Sequence, residues 1–389
     1  MASCGADPLR YDLKWVDGVC YRVHPKVVVE ARRKDQVSGK SRRSGETDDA
    51  FDDYDEEESC GSRRDAQGGG QEAFSESIHV PDRYLARICG SQHSRRKEWE
   101  NLTHTKIEIP KKGESGDVVV SGNDENDVQL CVEKIQNLVL SLRSKDSFTH
   151  FISIPLTYPE VQRSLADFKH LVLQSSSSFA GPGIMDRMFI KERKLHLTVC
   201  CLCLFDKNEE AQAIEILQTC DELIKGSLGN EPFNIEVRGL EIMNDEPSEV
   251  NVLYAKVFEQ DRSDAGRLQI LCDSIVERFR QSGFLRNKLA SSREKLKLHM
   301  TLINSKFSED PTAVDDPSQS LNQRSVGSKQ ERKSSPFDAT NILKNFGDFR
   351  FGMVQLDRVE LNVVSISEPG TGYYRKLKHL RLPTTAAPQ

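Results

Sequence analysis

No stretch of about 18 apolar residues occurs in the 389-residue chain, and no apolar run opens it. A membrane-spanning helix and a secretory signal are therefore not expected, and a soluble, intracellular protein is. The ten cysteines stand at 4, 20, 60, 89, 131, 200, 201, 203, 220 and 272, without the paired Cys/His spacing of a zinc finger. A structural zinc site is not expected, and the thiols read as those of a reducing compartment. Cys200, Cys201 and Cys203 read as small core residues. Basic charge is not in excess either. The formal net charge is −6, so any contact with RNA has to be a local patch rather than a global coat. Only 37% of residues are hydrophobic, and mean hydropathy is −0.55. These values are low for one compact globule. The length fits two or three domains joined or flanked by disordered segments.

What the chain does contain is a short pattern written twice, 103 residues apart: Lys194-Leu195-His196-Leu197-Thr198-Val199 and Lys297-Leu298-His299-Met300-Thr301-Leu302. Of nine histidines, only these two have threonine two positions later. In an extended strand side chains alternate between faces. His196 and Thr198 therefore share one face while Leu195, Leu197 and Val199 are buried behind them, and the second copy repeats this. Two such strands facing each other hold two imidazoles and two hydroxyls around one small anion. Cleaving a phosphodiester without a metal needs a base, an acid and donors to the equatorial oxygens. Histidine suits both proton roles because its pKa lies near neutrality. His196 and His299 are the candidate base and acid, in an order the sequence leaves open. Thr198 and Thr301 are candidate donors. Tyr254 and Lys256, two apart on an adjacent expected strand, share a face and are candidate phosphate contacts. Asn304 is a weaker one. No carboxylate cluster accompanies either motif, so two-metal catalysis is disfavoured and no cofactor is expected.

Residues 1–74 read as a largely disordered tail. A short hairpin around Asp17-Gly18, or a partner-docking motif, is expected near its start. Basic clusters (Arg32-Arg33-Lys34, then Lys40, Arg42 and Arg43) precede an acidic run from Asp48 to Glu58, and Gly68-Gly69-Gly70 closes the segment. The basic pair resembles a bipartite nuclear-import signal, which points to the nucleus, with the cytoplasm as a second compartment. Residues 75–145 follow a βααββα order that resembles the KH fold: strand 77–80, helices 82–89 and 94–102, strands 105–109 and 117–121, and an amphipathic helix 126–142. Residues 147–384 form the remaining domain. Its expected strands are 151–154 (stopped or demoted to an edge by Pro155), 195–204, 233–242, 250–258, the second motif strand and 351–364. Its helices are 159–173, 209–225, 265–282 and 341–346. A Ser/Gly-rich loop covers 175–183, and a mobile insertion is expected at 308–335.

The paired His-x-Thr motifs resemble the two-histidine phosphoesterase superfamily, which includes 2′-5′ RNA ligase-like proteins and cyclic-nucleotide phosphodiesterases. The resemblance covers about residues 75–365. Val252-Leu253-Tyr254-Ala255-Lys256-Val257 and Asn341-Ile342-Leu343-Lys344 strengthen it. It implies an α+β architecture: a KH-like module followed by a bilobal domain with two mainly antiparallel sheets flanking a central cleft. It also implies the catalytic roles already read from His196, Thr198, His299 and Thr301. A KH module grips single-stranded nucleic acid with a Gly-x-x-Gly turn, where missing side chains admit the backbone. Here the turn reads Gly90-Ser91-Gln92-His93, followed by Arg95, Arg96 and Lys97. His93 replaces the second glycine, and its Cβ is expected to crowd the sugar-phosphate or to require another backbone conformation. A KH module joined to a two-histidine domain further implies a nuclear transcription-coactivator complex active in repair of alkylation damage, with a helicase and other subunits as partners. The leading expectation is a metal-independent RNA phosphodiesterase fed with single strands. The alternative is a catalytically weak RNA- or nucleotide-binding adaptor that regulates the helicase.

Overall fold

The computed structural model describes residues 12–16, 19–23, 74–111, 113, 114, 116–174, 183–226, 229, 231–260, 266–286, 296–308 and 335–385. The basic clusters and acidic run of the tail, Gly68–Gly70, Lys112, nearly all of the 175–183 loop and all but the ends of the 308–335 insertion lie outside these residues. A hairpin of β1 (Asp12–Val16) and β2 (Val19–Val23) belongs to a unit of its own. Val16 lies opposite Val19 in its register, and Asp17-Gly18, where the sequence places a hairpin turn, lies outside the described residues.

The KH module builds three strands, β3 (Phe74–Ile78), β4 (Thr105–Glu108) and β5 (Val118–Gly122), in the antiparallel order β3-β5-β4. Helices α1 (Asp82–Cys89), α2 (Ser94–Thr103) and α3 (Glu125–Lys145) complete the βααββα succession. Asp124 starts α3 by accepting from the backbone N–H groups of Asn126 and Asp127, which satisfies two donors that the first turn leaves open. Val128, Cys131, Val132 and Ile135 then recur on one face and pack against Ile88, Ile107, Val118 and Val120.

The second domain is one eight-stranded antiparallel sheet with helices packed on it. Its strands are β6 (His150–Pro155), β7 (His196–Leu202), β8 (Phe233–Ile242), β9 (Val252–Glu259), β10 (His299–Asn304), β11 (Arg350–Leu356), β12 (Arg358–Ser367) and β13 (Tyr374–Arg381). The order is β11-β8-β9-β10-β7-β6-β12-β13. The expected two sheets are its two four-stranded halves, which join through the single pair Met300–Leu197 between β10 and β7. Helices α4 (Pro159–Gln174), α5 (Lys207–Thr219), α6 (Asp221–Gly226), α7 (Arg267–Gln281) and α8 (Thr340–Phe346) complete the domain. Leu165, Phe168, Leu217, Leu271 and Ile275 meet the buried strand residues Leu197, Val199, Leu253, Met300 and Leu302 in one core.

Two sequence expectations change, and the alternative left open at Pro155 is decided. The single strand expected over 351–364 is β11 and β12, broken at Asp357 and placed far apart in the strand order. Pro155 ends β6 without making it an edge, because β6 lies between β7 and β12; proline at a strand's last position removes little of its ladder. The helix expected over 209–225 is two, α5 and α6, meeting at Cys220. The edge strand β13 was not foreseen.

The KH-like module and the second domain touch through a charged seam. Arg143, in the last turn of α3, meets Glu209, in the first turn of α5, at 2.5 Å, with both side chains buried. Arg143 also donates to the Cys203 carbonyl, and Glu209 accepts from the Phe205 N–H at 2.8 Å. His79 bridges Asp206 at 2.9 Å and Asp117 at 3.3 Å. The Phe205 ring meets Tyr84 edge-on, under the Arg83 guanidinium.

Candidate active site and RNA-binding turn

The pair Leu197–Met300 fixes the geometry of the two motifs. Both side chains are fully buried. Their neighbours therefore point to the opposite face, and antiparallel register sets His196 against Thr301 and Thr198 against His299. Each imidazole thus faces the other motif's hydroxyl, in a two-fold arrangement at the seam between the half-sheets. All four residues are partly exposed. The arrangement that alternation alone predicts is the one present.

Each ring is held in the same way. His196 Nδ1 lies 2.7 Å from the Lys194 carbonyl, and His299 Nδ1 lies 2.7 Å from the Lys297 carbonyl. A carbonyl only accepts, so both Nδ1 atoms carry the proton and both Nε2 atoms are left to exchange one. Burial pulls His196 down to about 4, opposed by its bond to Lys194 and assisted by the nearby His299. Burial also lowers His299, again opposed by the carbonyl bond. Both rings are therefore neutral near pH 7 in the free protein.

Aromatic rings surround the imidazoles. Phe151 lies 5.2 Å from His196, and Tyr374 meets His196 edge-on at 5.6 Å. On the other side Tyr254 meets His299 edge-on at 5.1 Å. The lysine that opens each motif covers the corresponding tyrosine. Lys194 Nζ stands 3.7 Å over the Tyr374 ring, and Lys297 Nζ stands 5.1 Å over the Tyr254 ring. Lys194 also donates to Ser367, and Lys297 pairs with Glu241 at 2.9 Å. Each half-site is thus a His, a Thr, a Tyr and a Lys. Sequence reading missed Tyr374, Lys194 and Lys297, although the shared Lys-Leu prefix carried the signal for the two lysines.

The other sequence candidates divide. Tyr254 pairs with Thr301 and Lys256 pairs with His299, so both share the motif face of β10. The Lys256 chain runs across Gly239, where a Cβ would stand 2.9 Å from its Cε, toward the Phe258 ring. Asn304 instead caps a turn, its Oδ1 accepting from Lys306 N–H at 3.0 Å. Among the described residues, His79, Asp206 and Glu209 bring metal-type ligand atoms within 4.8 Å of one another. They sit at the seam with the KH module, and Glu209 is committed to Arg143. Cys200 is buried in the sheet core, as expected; Cys203 is buried instead past the end of β7, its thiol against the Arg143 and Ser147 carbonyls, and Cys201 is half-buried and raised to about 11 by burial.

The KH turn keeps a glycine-like backbone without its second glycine. Gly90 has φ 72°, and a Cβ there would stand 2.9 Å from Arg95 Cβ and N. Gln92 and His93 follow with φ 50° and 59°. Left-handed backbone costs a non-glycine residue roughly 1 kcal/mol. At His93 the cost is offset by a contact of Nδ1 with Cys89 Sγ at 2.9 Å. Burial keeps the Cys89 thiol protonated, so it donates to the ring. Of the three following cations, Arg96 is paired with Glu100 at 3.1 Å and Arg95 donates to the Arg87 carbonyl at 2.5 Å. Lys97 is exposed. Ser91 is exposed beside them.

Comparison with known proteins finds two family matches within the chain. Residues 148–382 match the family described as AKAP7 2'5' RNA ligase-like domain, and residues 75–137 match the KH domain family. The chain is 34% identical over 362 residues to the Mus musculus activating signal cointegrator 1 complex subunit 1, covering 92% of this chain and 94% of that protein. It is 21% identical over 239 residues to an uncharacterized Schizosaccharomyces pombe protein, covering 60% of this chain and 95% of the relative. Among solved structures, the TT0787 protein of Thermus thermophilus is similar at 16% identity and a TM-score of 0.36, over 60% of this chain and 98% of that one. E. coli LigT complexed with 3'-AMP is similar at 16% identity and 0.33, over 61% and 100%.

Proposed function

This chain belongs to the AKAP7 2'5' RNA ligase-like family and carries a KH domain, and from that premise we propose that it is a metal-independent RNA phosphodiesterase. The observation that carries the reading is the facing pair of His-x-Thr motifs around Leu197–Met300. A phosphate seated on that face meets a proton acceptor and a proton donor on opposite sides, with the Thr198 and Thr301 hydroxyls directed at its free oxygens. His196, the more strongly lowered ring, takes the proton from the attacking oxygen. His299, entering the step as imidazolium, gives its Nε2 proton to the leaving oxygen and keeps its Nδ1 proton on the Lys297 carbonyl. Tyr254 and Tyr374 wall the site, and Lys194 and Lys297 add positive charge at its rim. The KH turn, Gly90 through His93 with Arg95, Arg96 and Lys97, supplies single-stranded RNA. By analogy with its mouse relative, the chain works within the activating signal cointegrator 1 complex. A helicase partner and the nucleus are part of the same proposal, on the ground of the KH-plus-two-histidine resemblance.

The test is a panel of short oligonucleotides offering 2′-5′ linkages, 2′,3′-cyclic phosphates or 3′ ends, incubated with purified protein in EDTA. Turnover of at least one member is expected. Turnover only after metal is added would remove the mechanism.

The pH profile follows from the two lowered histidines. The base must be neutral, so kcat/KM falls as pH drops through about 4, the value of His196. The acid must be charged, so kcat/KM falls as pH rises through the value of His299, which burial holds below 6.5. The bell for the free protein therefore lies on the acid side of 6.5. In kcat it moves upward, because bound phosphate favours both imidazolium forms. A kcat/KM profile flat from pH 4 to 8 would contradict the assignment.

Replacing the KH cations tests RNA delivery. Arg95→Glu with Lys97→Glu should weaken single-stranded RNA binding and lower the salt slope by about one for each phosphate contact removed. One feature, His93 at the second glycine position, favours the adaptor reading. That reading requires binding to survive with no turnover across the panel.

A further inference from the structure

The cleft face of the β10 half-sheet carries a row of cations that neither proposed half-site uses. Set side by side by the strand register, His299 pairs with Lys256, Lys256 with Arg238 and Arg238 with Arg350. Paired antiparallel residues point to the same side. The row therefore crosses β10, β9, β8 and β11 on the face of His299, and ends at the sheet edge. Three strand spacings make it roughly 14 Å long. Arg350 is exposed and Arg238 is partly so.

A second row runs beside the first. Phe258 pairs with Glu236, and Glu236 pairs with Met353. Phe258 is 38% exposed and Met353 is 55% exposed, and the two flank Glu236 on one face. Glu236 lies between the two arginines, 3.1 Å from Arg238 and 3.6 Å from Arg350, and fixes their guanidinium groups. The Arg238 guanidinium stands 4.7 Å over the Phe258 ring, and Lys256 Nζ stands 5.9 Å from its centre. Lys256, Arg238 and Arg350 outnumber Glu236, and Glu241 beside Lys256 is paired with Lys297, so this patch is positive on a chain whose net charge is −6. The bulge at Gly239, with φ 74°, is what lets the Lys256 chain lie toward the row.

Cations set beside an exposed aromatic ring and an exposed apolar chain are what a single strand of RNA needs: charge for its phosphates and apolar surface for its unstacked bases. Duplex RNA offers only phosphates and 2′-hydroxyls to such a surface. We propose that this face is a track for single-stranded RNA leaving the His299 side of the cleft. Lys256, Arg238 and Arg350 hold successive phosphates, while Phe258 and Met353 support bases without reading their identity. The proposal rests on the phosphodiesterase reading for its direction, since the strand is continuous with the scissile phosphate.

The test uses the full chain with His196→Ala to stop turnover, and with Arg95→Glu and Lys97→Glu to silence the KH turn. Binding of a labelled dinucleotide and octanucleotide of RNA is followed by fluorescence anisotropy against salt. The octanucleotide should bind more tightly, and the gain should shrink in Arg350→Glu, with the salt slope lower by about one. Phe258→Ala should weaken the octanucleotide roughly tenfold with its salt slope unchanged. Both positions are exposed, so a thermal melt should show folding intact. Unchanged octanucleotide affinity in both variants overturns the track, as does equal loss for duplex and single strand. A wild-type chain that turns over no phosphodiester yet shows these losses supports the track and removes the enzymatic reading alone.

Discussion

Replacing either His196 or His299 with alanine should lower turnover by roughly 10²–10⁴-fold, the usual contribution of one positioned proton-transfer group. The two losses should not multiply, because acid and base serve one displacement and removing either stops it. Folding should survive. Both rings sit on the open face, while Leu197 and Met300 carry the buried side of the same strands. What each substitution gives up structurally is one bond to the carbonyl of Lys194 or Lys297, about 1 kcal/mol, with water able to replace it. Thr198→Val and Thr301→Val keep strand shape and remove only a hydroxyl. If those hydroxyls meet the phosphate as it gains charge, each should cost roughly 10²-fold in kcat with little change in KM. Full activity in both histidine variants would end the two-histidine reading, whatever the fold.

The motifs were legible because two periodicities coincide in them. Strand alternation sorted His and Thr from Leu, Met and Val, and repetition of the Lys-Leu prefix marked the pair as related. Local signals also drew α1 and β8 to the residue. Where the sequence misled, the deciding contacts were distant. The run from Arg350 to Val364 carries Phe, Met, Leu and Val throughout and no proline, so one long strand fits it. Its turn at Asp357 is held from outside: Tyr158 donates to the Asp357 carboxylate at 3.1 Å, and the Leu382 N–H donates to the Asp357 carbonyl at 2.8 Å. No window of sequence contains those partners. Strand β13 escaped for another reason. Arg375, Lys376, Lys378 and Arg381 scatter charge over both of its faces, as open edges often do, and erase the alternation that would reveal it. Tyr374, the counterpart of Tyr254 beside His196, was hidden with it. The cation row on β8, β9 and β11 could not be read either, since register alone aligns residues 238, 256 and 350.

The seam between the two domains carries the largest expected stability effect. Arg143 and Glu209 are both buried, 66 positions apart, and each looks in sequence like a solvated helix residue. Their places are favourable to the helices themselves, a cation at the end of α3 and an anion at the start of α5. Removing one charge strands the other out of water. Glu209→Leu or Arg143→Met should therefore lower unfolding stability by ~3–5 kcal/mol, read as a fall in the urea midpoint. The double variant removes both charges and escapes that desolvation penalty, so it should be more stable than either single one. It should not return fully to wild type. The Cys203 carbonyl loses its Arg143 donor and the Phe205 N–H loses its Glu209 acceptor, leaving two backbone groups to find other partners at ~1–3 kcal/mol each. The residual deficit then measures those two bonds, and the difference between the sum of the single losses and the double loss measures the pair. Strictly additive losses would show instead that the two charges are solvated, and that the KH module and the 2'5' RNA ligase-like domain are not locked together through them.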